Sequence, residues 1–361
     1  MFETAIFSIL FFSVFTILVY TAMWRSLRVK KTIEKPDKLG ISIVIAAKNE
    51  QANLENLFSA LENQNYPKEK FEIIFVDDNS TDDTFTEAEK YASRFLNFHL
   101  LKAENKILPA KKGALDLGIS QARFPFLLFT DADCAPQNNW LNAFSEKFSA
   151  GYELLFGFAP FHLKKTFANR FFCFENLRTT LLTSSAAWFN LPYSAASRSL
   201  GIRKEIFNQL GGFSKTLQTL GGDDDLLIRE AVNNNCKIGI IAADASLVFS
   251  NPQKSFADYF LQKRRHTATS FHYLWQHKLF LAIWHLTNIL AVDSLFILPF
   301  FPEAGFIFLT KIFCDYLIVY SFQRKFSYKF SFGEIFFFQI LYECFIVVNF
   351  LNAKFFKVKW K

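Results

Sequence analysis

Cysteine is scarce in this chain: Cys134, Cys173, Cys236, Cys314 and Cys344 are the five among 361 residues. No two form a close pair, and no spacing matches a metal-ligand motif. A disulfide-stapled secreted scaffold is thereby excluded, and the thiols read as free in a reducing compartment. Gly/Ser linkers, internal repeats and low-complexity tracts are lacking too. A secretory leader is not expected, because the first residues show neither a positive n-region nor a small-residue cleavage site.

What the chain has in quantity is apolar. Hydrophobic residues make up 51 %, and Phe alone fills 48 positions, yet charged residues still reach 20 %. Mean hydropathy is +0.14. A uniformly apolar protein has fewer charges, and a soluble one has fewer apolar blocks. Segregation resolves the conflict: membrane segments joined to a water-facing part. The length accommodates one large domain or two ordinary ones. Net charge is +7 and the pI about 9.0. The cations cluster beside apolar blocks, in "WRSLRVKK" (24–31), "FQRKFSYK" (322–329) and "KFFKVKWK" (354–361). An anionic membrane surface, not nucleic acid, is therefore the expected partner; each such cation gains roughly 1 kcal/mol there.

Residues 3–24 are apolar after the first acid and end before Arg25. As a helix they span about 30 Å of hydrocarbon. They are expected to be a retained anchor (1–24) whose C-terminal end lies in the cytoplasm, since cations follow it. The blocks 279–298, 303–321 and 335–351 predict two or three further membrane helices. The first contains His285, Asn288 and Asp293, and polar groups inside a span are expensive. An interfacial or re-entrant piece is one expectation for it. Three full crossings would put the basic C-terminus outside; two crossings and one interfacial segment would put it inside. The expected location is the cytoplasmic (inner) membrane, with the water-facing domain in the cytoplasm.

Residues 41–150 alternate strands with helices. "ISIVIAA" (41–47) predicts a buried strand. Leu54, Leu57, Phe58 and Leu61 follow at helical spacing, with Asn49 as the expected cap. "FEIIFV" (71–76) is the next strand, and a helix from about Asp82 is expected to be capped by Ser80 or Thr81. A weak strand at 97–101, a helix at 109–122 and a strand at 124–130 complete the series. This order predicts an α/β domain with a mostly parallel sheet, in which ligands gather at the carboxyl ends of strands. Glu50, Asp77, Asp78, Asp131 and Asp133 all fall there.

Carboxylates at the end of a buried strand are costly unless paired, hydrogen-bonded or on a metal. In "FTDADC", Asp131 and Asp133 point the same way in an extended chain and can share a hard divalent cation. Turn or capping residues are the equal alternative. In "LGGDDDLLIREA" (220–231) three acids exceed what capping needs and suggest a base for a substrate hydroxyl. In "YFLQKRRHTATS" (259–270) the cations read as an anion clamp or as a juxtamembrane basic patch.

Taken in order, "SIVIAAKNE", "VDDNSTDDT", "KKGALDLGI", "FTDADC", "GGDDDL" and "QKRRH" resemble a family 2 glycosyltransferase with the GT-A fold. The resemblance covers roughly residues 40–270. It is nearest to membrane-anchored members of the cellulose/hyaluronan synthase-like superfamily. It implies donor contacts from Ala46, Glu50, Asp77, Asp78, Lys112 and Asp131. It implies Mg²⁺ or Mn²⁺ on Asp133, with Asp131 beside it. The general base falls on Asp224 by counting back from "NCKI" and on Asp223 by counting forward to Arg229; Asp224 is favoured. Gln262, Arg265 and His266 match the Gln-x-x-Arg-Trp motif, with His266 in the Trp place, and Arg264 or Arg265 would stabilise the leaving phosphate. Asp116 stands where the family usually has Asn.

The chemistry implied is inverting transfer from a nucleotide-sugar, needing one carboxylate as base. Residues 161–189 mix basic and aromatic side chains and read equally as an amphipathic helix on the bilayer or an ordinary core helix. With the membrane blocks they favour a lipid or lipid-linked saccharide acceptor. A processive polysaccharide synthase is the alternative. A silent membrane scaffold keeping the fold is an alternative of another class.

Overall fold

The protein is described here by a computed structural model covering residues 2–26, 38–104, 106–219 and 221–356. The basic stretches 27–31 and 357–361 lie outside the described residues.

Helix α1 (Phe2–Ser26) leads into a seven-stranded sheet. Its first strands are β1 (Ile41–Ala47) and β2 (Phe71–Asp77), separated by α2 (Leu54–Glu62). Next come α3 (Thr84–Ala92), β3 (Phe98–Lys102), α4 (Ala110–Gln121) and β4 (Phe126–Phe129). A short β5 (Cys134–Pro136) follows, then α5 (Trp140–Ser149), β6 (Leu154–Gly157) and the long α6 (Phe167–Trp188). The sheet is finished by β7 (Leu200–Arg203), α7 (Lys204–Gln209), α8 (Asp225–Asn233) and β8 (Ile238–Ile241). The strand order is β3-β2-β1-β4-β7-β6-β8. All neighbours are parallel except β7, which is antiparallel to both β4 and β6. A second, two-stranded sheet pairs β5 with β9 (Val248–Ser250).

The continuous apolar strands are explained by burial on both faces. Ile43 and Ile45 pack against α2 and α5, while Val44, Ile74 and Val76 pack toward α4. Gly118 of α4 is required by that second contact. A Cβ there would lie 2.6 Å from Val44 Cγ1.

Two expected caps are replaced by other contacts. Asn49 sits at φ +58, and its Oδ1 accepts from the Thr81 N–H at 2.8 Å. It joins the loops after β1 and β2 and leaves α2 to start behind a short turn. Ser80 accepts from the Asn49 N–H at 3.0 Å, so neither Ser80 nor Thr81 caps α3; Asp82 accepts from Thr84 N at 3.1 Å instead.

The C-terminal part comprises α9 (Phe256–Ser270), α10 (Trp275–Ile297), α11 (Ala304–Phe322) and α12 (Phe332–Phe355). Among the described residues, three helical runs are long and apolar enough to cross a membrane: α10, Ala304–Phe326 and α12. The block carrying His285 and Asn288 is thus a continuous helix, not a re-entrant piece. Asn288 is buried and its amide donates to Trp284 O, whereas Asp293 is exposed. Helix α6 is the core helix of the two alternatives. Phe171, Phe172, Leu177 and Leu181 are buried, in one apolar core with Val19 and Tyr20 of α1, Trp284, Ile318 and Tyr342.

Candidate active site

The two acidic clusters lie about ninety residues apart in sequence and meet at one lysine. Lys111, in the first turn of α4, reaches Asp131 Oδ1 at 2.5 Å and Asp223 Oδ2 at 3.3 Å. Asp131 and Asp133 follow β4, at the carboxyl edge of the sheet. With Cys134 they place three possible ligand atoms within 4.8 Å of one another. Burial, followed by Asp133, pushes the Cys134 thiol well above its ordinary pKa, so it stays protonated; its Sγ lies 3.4 Å from Asp133 Oδ1. The donors left are carboxylate oxygens, which suit a hard cation. Burial and then Asp131 raise the Asp133 pKa. A divalent cation would relieve both effects, so the residues present fit one.

The second cluster is shaped by Gly222, which adopts φ +70. Asp224 then caps α8: its Oδ1 accepts from Asp225 N at 2.8 Å and its Oδ2 from Ser197 N at 2.9 Å. Asp225 Oδ2 accepts from the Tyr273 hydroxyl at 2.5 Å. The acids differ in charge environment. Burial works against ionisation of Asp223, but Lys111 outweighs it and holds that pKa below the ordinary value. Burial, Asp225 and Asp223 together push Asp224 well above it. Burial raises Asp225 to about 6 despite the Tyr273 bond.

At the other edge, the β1 and β2 ends are joined by the parallel ladder, which pairs Ala46 with Val76 and Ala47 with Asp77. Asp78 is ion-paired with Lys106. Asp77 Oδ2 accepts from Ser80 N at 3.3 Å, while its Oδ1 is buried without a partner. A ligand hydroxyl or N–H would satisfy that oxygen. Glu50 is raised to about 7 by burial, partly offset by Asn53 and reinforced by Asp133 and Asp131. It therefore faces the same charges as the Asp-x-Asp pair.

A cavity of about 760 Å³ joins Asp131, Asp133 and Asp224 to the apolar helices, while Ala46, Glu50, Asp77, Asp78 and Asp223 are not in its wall. Asp131, Asp133, Asp224, Arg198, Gln262, Lys263 and His266 form its polar end. Leu281, His285 and Ile289 of α10, with Tyr342, Ile346 and Phe350 of α12, form the other. His266 is pushed down to about 4 by burial, then by Lys263 and Arg265, so its ring is neutral near pH 7.

Three expected contacts fall elsewhere. Lys112 is buried and donates to the carbonyls of Thr216 and Thr219; its helical phase points it at a loop and gives the acids to Lys111. Arg264 donates to Asn352 Oδ1 on α12 at 3.2 Å. Neither Arg264 nor Arg265 is in the cavity wall, because α9 turns Gln262, Lys263 and His266 inward. Two residues had no assignment from sequence: Lys111 and Arg198. The double lysine in "KKGALD" was the signal for the first. Nothing local marked the second.

A sheet of this order, with acids at its carboxyl edge around one cavity, is the GT-A-like α/β fold. The chain carries a glycosyl transferase family 2 domain, matched over residues 42–211. It is similar to Glycosyltransferase AglE of Haloferax volcanii, 28 % identical over 186 residues, which cover 51 % of this chain and 58 % of that one. Probable glycosyltransferase YdaM of Bacillus subtilis is 26 % identical over 206 residues, 52 % of this chain and 46 % of the relative. The matched regions thus span about half of these relatives' own lengths. Among solved structures, the mannosyltransferase PcManGT from Pyrobaculum calidifontis, in complex with GDP-Man and Mn²⁺, has a TM-score of 0.56 at 15 % identity. That likeness covers 97 % of this chain and 98 % of that one, and it supports the fold.

Proposed function

We propose that the chain is a membrane-bound inverting glycosyltransferase that moves a sugar from a nucleotide-sugar donor to a lipid or lipid-linked saccharide. The observation that carries this reading is the single cavity, acidic at one end and walled by α10 and α12 at the other. A water-soluble acceptor has no need of the apolar end. A polyprenyl or acyl chain does, since each buried CH₂ is favourable by about 0.8 kcal/mol.

In this reading residues 40–270 are the catalytic unit, and 1–24 and 279–351 attach it to the membrane, with that unit on the cytoplasmic side. Ala46, Glu50, Asp77 and Asp78 bind the nucleotide, and Asp77 Oδ1 accepts from it. Asp133 and Asp131 would hold Mg²⁺ or Mn²⁺, which when bound supplies positive charge to the departing diphosphate. Asp224 accepts the proton of the attacking hydroxyl, and its raised pKa suits it to that task. Asp223, neutralised by Lys111, is the second candidate. Gln262 and His266 face the donor from α9.

The test is a donor screen on the purified full-length chain. It reads release of nucleoside diphosphate with Mn²⁺ and a membrane lipid extract, followed by mass spectrometry of the lipids. A glycosylated lipid is expected. Asp133→Ala should lower turnover at least a hundredfold and abolish metal-dependent binding of the nucleotide-sugar in calorimetry. Release that is unaffected by this substitution, or that needs no lipid, would overturn the reading.

A further inference from the structure

Arg198 lines the cavity between the acidic clusters and the apolar helices. Among the described residues, no carboxylate lies within ion-pair distance of it. Two contacts hold it. One guanidinium N–H donates to Ser250 Oγ, and the guanidinium carbon lies 4.6 Å from the centre of the Phe161 ring. Ser250 is buried and pairs with Cys134 across the β5–β9 ladder, so the anchor stands directly beside Asp133. The neighbouring Ser197 N–H holds Asp224. Arg198 is therefore fixed between the Asp-x-Asp pair and the candidate base, and its charge acts on Asp133.

A guanidinium offers five donors, and one is used here. A half-buried cation without a counter-ion is costly and marks a place for an anion. Of the other cations in the cavity wall, Lys263 of α9 is already paired with Glu175 at 2.7 Å, and Lys278 stands on α10. Arg264 and Arg265 lie outside the wall.

We propose that Arg198 is a phosphate-binding residue of this cavity, engaging a phosphoryl group through the free edge of its guanidinium. Two sources carry that chemistry: the diphosphate of the donor and the phosphate of a lipid acceptor. Naming these sources rests on the glycosyl-transfer reading; the anion site itself does not.

The experiment uses the full-length chain in lipid nanodiscs, titrated by calorimetry with four phosphoryl probes and one phosphate-free control. These are UDP and GDP, each with Mn²⁺, inorganic pyrophosphate with Mn²⁺, and farnesyl phosphate against farnesol. Arg198→Gln is expected to weaken at least one phosphoryl probe tenfold or more and leave farnesol unchanged. Arg198→Lys, which keeps the charge but loses the planar fork, should weaken it several-fold and serves if Arg198→Gln unfolds. Loss confined to the nucleotides and pyrophosphate assigns the donor; loss confined to farnesyl phosphate assigns the acceptor. If wild type binds pyrophosphate or farnesyl phosphate but neither nucleotide, the donor reading fails, and Arg198 is still judged on the phosphoryl probe that binds. Unchanged binding in a folded variant overturns the proposal, as does a wild type that binds no phosphoryl probe.

Discussion

Three adjacent aspartates have differently shifted pKa values because each meets a different partner. Asp223 is held ionised by Lys111, Asp225 is tied to Tyr273, and Asp224 takes the repulsion of both. If Asp224 is the base, it must be ionised to work, and its pKa is raised. Activity should therefore fall with falling pH at a midpoint above the ordinary carboxylate value of about 4. Asp224→Asn should cost a hundredfold or more in kcat. Asp223→Asn removes one repelling charge, so it should move the acid limb of kcat/KM to lower pH and leave substantial turnover. If Asp223→Asn abolishes turnover and Asp224→Asn does not, the assignment of the base is reversed.

Helices in this molecule are joined by buried charge as well as by Phe. Arg178 of α6 reaches Asp315 of α11 at 2.5 Å, Lys311 reaches the same carboxylate at 2.5 Å, and Glu343 of α12 lies 3.5 Å from Lys311. All four side chains are buried. Two cations and two anions balance, so removing one leaves an uncompensated charge, at about 3–5 kcal/mol. Asp315→Asn should lower the melting temperature in detergent clearly. Joint replacement of Arg178 by Met and Asp315 by Leu should recover part of that loss, since Lys311 and Glu343 still match. Equal melting of Asp315→Asn and wild type would show that the four charges do not brace α6 against α11 and α12.

At the scale of the whole molecule, α1, α6 and the apolar helices share one core with the residues that follow β6 and β8, while the two faces of the sheet pack in separate cores. Exposed Phe296, Phe300, Phe306, Leu309 and Phe313 on and between α10 and α11 form a surface too apolar for water. The chain should therefore stay with membranes after alkaline carbonate extraction and require detergent for release. Recovery in the carbonate supernatant would sink the spanning reading of α10 and α11. If the acceptor is a lipid held by the apolar end of the cavity, shortening its chain within one series should raise KM more than it lowers kcat, because that end would bind chain and not reacting atoms.

Local chemistry made much of this legible in advance. Strands at 41–47 and 71–76 follow from runs rich in β-branched and aromatic residues, and the sheet direction follows from their alternation with helices. Acids at strand ends stand out because burial makes them costly, and apolar segregation marks the membrane part. These features are encoded by neighbours in sequence. Helical phase and long-range register are not. Whether Lys111 or Lys112 meets the acids depends on how α4 packs on Val44 and Val76, and the inward face of α9 is set by its contact with α12. Arg198 lies near Asp133 only because β7 runs antiparallel to β4, pairing Leu200 with Phe129 and so delivering its leading residues to the carboxyl edge. A strand pairing of residues seventy positions apart leaves no local trace, so that placement was decided by the tertiary structure alone.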